Sequence, residues 1–71
     1  MKFNILSRFG KRTRELRLLK NISQEELGEL AGLHRTYIGM IERGERNITL
    51  KNLEKIAKAF DMNIEEIFRG I

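Results

Sequence analysis

Only three residues, Gly32-Leu33-His34, separate two short amphipathic segments near the middle of this 71-residue chain. The first segment opens at Ser23, with Glu26 following at the third position. That spacing predicts a capping box, in which each side chain satisfies an orphan backbone N–H at the helix start. Leu27, Leu30 and Ala31 supply an apolar face, and Gly32 ends the helix in the left-handed position that favours glycine. The second segment runs from about Arg35 to Arg43, with Ile38 and Ile41 turned inward and Gly44 as its stop. Helices this short, joined by so tight a turn, meet at a steep angle. One face of each is then buried, and the N-terminal half of the second points outward.

The remaining sequence adds three helical segments. Ile5, Phe9, Leu16 and Leu19 share one predicted face of a first helix ending near Lys20, with Thr13 in the stripe where an aliphatic would pack better. Thr49 is placed to cap a fourth helix reaching Phe60, whose Leu53, Ile56, Ala57 and Phe60 follow i, i+3, i+4, i+7 spacing. Asn63 caps a short fifth, again with a Glu three positions on, and its apolar residues are Ile64, Ile67 and Phe68. Proline is absent and β-branched residues never alternate, so strands are not expected. The reading is an all-α, five-helix domain spanning residues 1–71, with a helix-turn-helix at about 23–43.

A chain this short buries only about 60% of its unfolded surface, and such domains usually need an added stabiliser. Without cysteine there is no disulfide, and His34, the single histidine, cannot hold a zinc ion alone. Dimerisation is the stabiliser left. The final nine residues carry more apolar groups than a short helix buries, so Phe60, Ile64, Ile67 and Phe68 either close the monomer core or, as favoured here, form a pairing surface within about residues 50–71.

Charge narrows the function. The net charge is +4, yet residues 1–24 alone carry +6, from Lys2, Arg8, Lys11, Arg12, Arg14, Arg17 and Lys20 against Glu15. Such asymmetry suits a polyanion, unless it is merely a solvated face. Apolar runs never exceed pairs, so no membrane span or leader is expected, and the chain reads as cytoplasmic. With no thiol, one histidine and no phosphate-binding glycine loop, an enzyme is not expected, and no cofactor, metal or small-molecule ligand is implied.

The outward face of the third helix fits a DNA groove. Arg35 can pair bidentately with guanine, and Thr36 offers a hydroxyl and a methyl for base edges. Tyr37 follows, equally suited to packing, with Gly39 and Met40 on the next turn and Met40 better read as a half-buried filler. Arg43, Arg46 and Asn47 lie in reach of phosphates or an adjacent base. Ser23 and Gln24 mark a helix N-terminus able to receive a phosphate. His34 beside that helix reads as a cap or turn residue rather than a ligand or pH sensor, and Glu25, Glu26 and Glu29 as a solvated face.

The stretch Ser23-Gln24-Glu25-Glu26-Leu27 … Ala31-Gly32-Leu33 … Ile38 … Ile41-Glu42-Arg43-Gly44 resembles the lambda-repressor/Cro-like (XRE-type) helix-turn-helix regulators. Asn47-Ile48-Thr49-Leu50 … Leu53 … Ile56-Ala57 … Phe60 continues the pattern. Within that group, Leu33-His34-Arg35-Thr36-Tyr37-Ile38 and Glu42-Arg43-Gly44-Glu45-Arg46-Asn47-Ile48 are similar to the controller proteins of restriction–modification systems. The resemblance implies a homodimeric regulator of a near-palindromic double-stranded operator, with RNA polymerase a further partner if it activates. It implies base reading by Arg35, Thr36, Tyr37 and Arg46. Phosphate contacts fall to Gln24, Arg43, Asn47 and Thr49, and pairing to Phe60, Ile64, Ile67 and Phe68. Gly28 departs from the group's usual alanine, keeping two helices close at a cost of roughly 0.8–1 kcal/mol in helix propensity. The other reading is an antitoxin-like or other protein-interaction module on the same fold, because fold alone does not decide function. Arg35 and Thr36 argue against it, since a protein-binding face is more apolar at its centre.

Overall fold

Each helix starts on a side chain that takes up a free backbone N–H, a contribution of about 1 kcal/mol apiece. The computed structural model describes residues 4–69 and 71, and Lys2, counted above in the basic N-terminal third, lies outside them. The elements are α1 (Ile5–Leu19), α2 (Gln24–Ala31), α3 (Arg35–Glu42), α4 (Leu50–Ala59) and α5 (Ile64–Phe68), with no strand among the described residues. Ser23 and Asn63 form full capping boxes with Glu26 and Glu66. Thr49 Oγ1 accepts from the Asn52 N–H at 3.1 Å. His34 Nδ1 accepts from the Thr36 N–H at 3.0 Å, so the histidine is the cap of α3. Asn4 caps α1 from 3.2 Å, a start the apolar pattern alone did not mark.

α2 ends in Gly32 at φ +71°, and the chain enters α3 three residues later, at Arg35. Gly28 works by close approach. A Cβ there would collide with the Leu33 carbonyl oxygen, so the missing side chain lets the turn fold back onto α2. α3 lies against both α1 and α2, while α4 packs on α2 and α5 bridges α1 and α4.

The core gathers Phe9, Leu16, Leu27, Ala31, Ile38, Ile41, Leu53, Ile56, Ala57, Phe60 and Ile67. Three expected core residues are not in it. Ile5 is 42%, Leu30 62% and Leu19 81% exposed. The buried sector of α1 runs through Phe9, Gly10, Thr13 and Leu16, and Leu19 lies about 120° around the helix from Thr13. Leu30 sits off the side of α2 that Leu27, Gly28 and Ala31 present to the core. Thr13 is fully buried, and its hydroxyl donates to the Phe9 carbonyl at 2.9 Å, so the polar group in the stripe is satisfied.

The pairing assignment divides. Phe60 is 1% and Ile67 0% exposed, so both close the monomer core and offer nothing to a second chain. They are buried because α5 folds back over α1 and α4, which its own short sequence cannot reveal. Phe68 is half-buried and stacks on Phe9 with ring centroids 5.6 Å apart. Ile64, at 36%, keeps an open face, and Leu50 at the start of α4 is 80% exposed.

The basic residues of α1 are also partly committed within the fold. Arg12 donates from Nε to the Ile67 carbonyl at 2.9 Å and from Nη2 to the Glu66 carbonyl at 3.2 Å. Arg8 Nη2 reaches the Ile71 carbonyl at 3.2 Å. The Arg12 guanidinium satisfies carbonyls at the C-terminal end of α5, where a cation also suits the helix dipole, and Arg8 holds the chain beyond it. The positive N-terminal third therefore serves as a staple for α5 as well as a source of field.

Candidate nucleic-acid interface

One nearly buried ion pair ties the end of α3 to α1 and to the entry of α2. Arg17, near the end of α1, donates from Nε to Glu42 Oε2 at 2.6 Å and from Nη2 to Glu42 Oε1 at 3.0 Å. A third donor, Nη1, reaches the Ile22 carbonyl at 3.0 Å, in the link to α2. Both side chains are almost wholly buried, at 11% and 4% exposure. The hydrogen bonds to Glu42 hold the guanidinium above its ordinary pKa, against the opposing effect of burial and with help from the carboxylate charge. A bidentate pair of this kind fixes orientation as well as proximity. It seats the C-terminal end of α3 against α1 and the entry to α2.

Gln24 extends the same network, donating from Nε2 to Glu42 Oε1 at 3.1 Å. Its position at the N-terminus of α2 is thus set by α3. Gly39 lies directly beneath: a Cβ there would sit 3.1 Å from Arg43 Nη1 and 3.5 Å from Gln24 Oε1. Gly39 is accordingly buried under those side chains rather than open, as the helical pattern suggested. Gln24 and Arg43 are brought together, with Arg43 in an exposed pair with Glu45 at 3.0 Å. Such pairs contribute only about 0.2–1 kcal/mol, so Arg43 exchanges partners readily.

On the outward half of α3, Arg35 and Thr36 are exposed. Arg35 Nη1 lies 3.1 Å from Glu25 Oε2, with both side chains more than 60% exposed, so that pair is equally weak. Tyr37 is half-buried and packs against the core rim. Its hydroxyl accepts from Asn52 Nδ2 of α4 at 3.0 Å, and the Arg46 guanidinium lies over its ring, 5.4 Å from the centroid. Packing and presentation are therefore combined in one residue: the ring is seated against the core rim while its open face carries a cation. Met40 is half-buried and Asn47 exposed. Thr49 Oγ1 is engaged as the α4 cap, with its own proton free of that bond.

Arg35, Thr36, Tyr37 and Arg46 thus lie on or over the open side of α3, and Gln24 and Arg43 both lie over Gly39. Sequence reasoning missed Asn52, Glu42 and Arg17, whose partners are 15 to 25 residues away along the chain. A buried Glu with a bidentate Arg leaves no periodic signal. Among the described residues no cluster of His, Asp or Glu could hold a metal ion, and no helix is long and apolar enough to cross a membrane.

The helix-turn-helix family model HTH_3 matches residues 14–67. Control protein C.BamHI of Bacillus amyloliquefaciens is 49% identical over 65 residues, covering 90% of this chain and 80% of that protein. The crystal structure of the restriction–modification controller protein C.AhdI from Aeromonas hydrophila superposes with a TM-score of 0.89 at 48% identity, covering 93% of this chain and 100% of that one. C.Esp1396I, solved bound to a 25 base pair operator site, superposes with a TM-score of 0.85 at 37% identity over 99% of this chain and 91% of its own. The chain belongs to the HTH_3 helix-turn-helix family of XRE-type regulators, alongside the restriction–modification controller proteins that it matches.

Proposed function

We propose that this protein is a sequence-specific DNA-binding transcriptional regulator, the controller of a restriction–modification system, which grips a near-palindromic operator as a homodimer. The observation that carries this reading is the braced, open half of α3. Arg35 and Thr36 stand exposed on it, and Tyr37 is seated with Arg46 over its ring. An α-helix presented this way enters the major groove, where Arg reads guanine O6 and N7 and the threonine methyl meets thymine. Gln24 and Arg43, both lying over Gly39, would meet one phosphate run, with Asn47 and Thr49 following at the start of α4. The operator bound by C.Esp1396I supports the same use of the fold here.

Two copies paired through the α4–α5 side would set their third helices about 34 Å apart, one turn of DNA. Ile64 and the outer edge of Phe68 are the residues left for that contact, since Phe60 and Ile67 are spent in the core. Regulation would follow protein concentration through coupled dimerisation and operator binding, in the cytoplasm, with RNA polymerase as a partner in any activating mode.

The test is selection of bound duplexes from a random pool at ~150 mM salt, where non-specific, counterion-driven binding is suppressed. A two-fold-symmetric motif is the expected result. Recovery of nothing above background would overturn the DNA-reading function and favour a protein-interaction module.

A further inference from the structure

The contact between Asn52 and Tyr37 joins α4 to the recognition helix, and its direction carries chemical information. A phenolic hydroxyl has one proton to donate and lone pairs to accept with. Asn52 Nδ2 donates to the Tyr37 oxygen at 3.0 Å, which occupies an acceptor position and leaves the hydroxyl proton uncommitted. The other end of the side chain is constrained as well, because Arg46 covers the ring.

We infer that Asn52 is a positioning residue that makes Tyr37 a hydrogen-bond donor to an acceptor on a base edge, and that it contributes to sequence specificity without touching DNA. The inference rests on the DNA-reading function proposed above. The acceptors it selects are guanine O6 and N7, adenine N7 or thymine O4, and with one acceptor position of the phenol already filled it disfavours the amino groups of adenine and cytosine. Asn52 suits this role because it is held at both ends: its backbone N–H is fixed by Thr49 Oγ1 at 3.1 Å, and its side chain is fixed by Tyr37.

The experiment compares wild type with Asn52→Asp, Asn52→Ala and Tyr37→Phe on the duplex selected by wild type and on a scrambled duplex of equal length. Aspartate keeps the shape of asparagine but only accepts, so it captures the Tyr37 proton. Its negative charge suits the first turn of α4, and the backbone cap is untouched, so the fold persists. Asn52→Asp is expected to lower the ratio of specific to non-specific affinity by about tenfold, as Tyr37→Phe does, and the added charge cancels from that ratio. Asn52→Ala should lower it too, but have no further effect in a Tyr37→Phe background. An unchanged ratio in both Asn52 variants overturns the role, and so does an equal loss on both duplexes, which would place the hydroxyl on a phosphate.

A DNA-free readout separates the two levels. Tyr37 is the single tyrosine of a chain without tryptophan, so its emission reports on this hydroxyl alone. Asn52→Asp should quench that emission through the new carboxylate hydrogen bond, and unchanged emission overturns the contact. If quenching occurs while wild type discriminates no duplex, the DNA-reading function itself has failed, and Asn52's role in it falls too.

Discussion

Arg17 and Glu42 meet in two hydrogen bonds of 2.6 and 3.0 Å in a site from which water is nearly excluded. The pair joins the last turn of α1 to the last turn of α3, and through Gln24 to the first turn of α2. Its value to the protein is geometric. It ties the C-terminal end of α3 to α1 and to the start of α2, bracing the helix-turn-helix that the short turn forms.

Removing one partner should therefore be costly. Glu42→Ala leaves a buried guanidinium without its carboxylate and is expected to destabilise the fold by about 3–5 kcal/mol. Replacing both residues by apolar ones of similar volume should cost far less, because desolvation is removed together with attraction. Urea unfolding of the single and double variants checks this. The raised pKa of Arg17 gives a sign for pH. Its stabilisation is complete below the ordinary arginine range and is lost only as pH rises through the still higher folded value. Stability contributed by Arg17 should thus be flat around neutrality, and a midpoint that falls there would point to another group.

At Gly28 two effects oppose each other. Alanine would recover roughly 0.8–1 kcal/mol of helix propensity. Its Cβ would meet a backbone carbonyl oxygen, which cannot swing aside as a side chain does. Overpacking of that kind costs typically 1–3 kcal/mol, so Gly28→Ala should be net destabilising. A raised melting temperature would show that the turn relaxes at no cost.

Arg35 and Arg43 should fail in different ways. Arg35→Ala is expected to cost about 1–3 kcal/mol against the preferred site and to relax preference at one base position. Arg43→Ala should weaken binding to all duplexes alike and reduce the salt slope by about one. Both side chains make only exposed ion pairs, so circular dichroism and thermal unfolding should be nearly unchanged. Equal losses from the two variants on every duplex would remove Arg35 as a base reader.

Ile64 and Phe60 should separate pairing from folding. Ile64→Glu puts a charge on a residue already 36% exposed and is expected to shift sedimentation toward monomer while helicity stays. Phe60→Ala empties a fully buried site and should cost about 3–5 kcal/mol of stability. Ile64→Glu that sediments like wild type would move the pairing surface elsewhere, with exposed Leu50 the next residue to change.

The sequence by itself determined what is local. The capping boxes at Ser23 and Asn63, the Thr49 cap and the left-handed Gly32 are settled within three or four residues, because helix ends are satisfied by near neighbours. The short turn likewise determined that α3 presents Arg35 and Thr36 outward. Tertiary structure alone decided which parts of each apolar stripe are covered. Leu19 and Leu30 read as core yet face solvent, and Phe60 and Ile67 read as a pairing surface yet close the monomer. A stripe shows that a helix has an apolar side, whereas burial depends on where the neighbouring helices lie. The polar contacts that brace the site follow the same rule. Arg12 with Ile67, Arg17 with Glu42, and Asn52 with Tyr37 join residues 55, 25 and 15 apart along the chain. No local pattern encodes such pairings; they exist only once packing has brought the helices together.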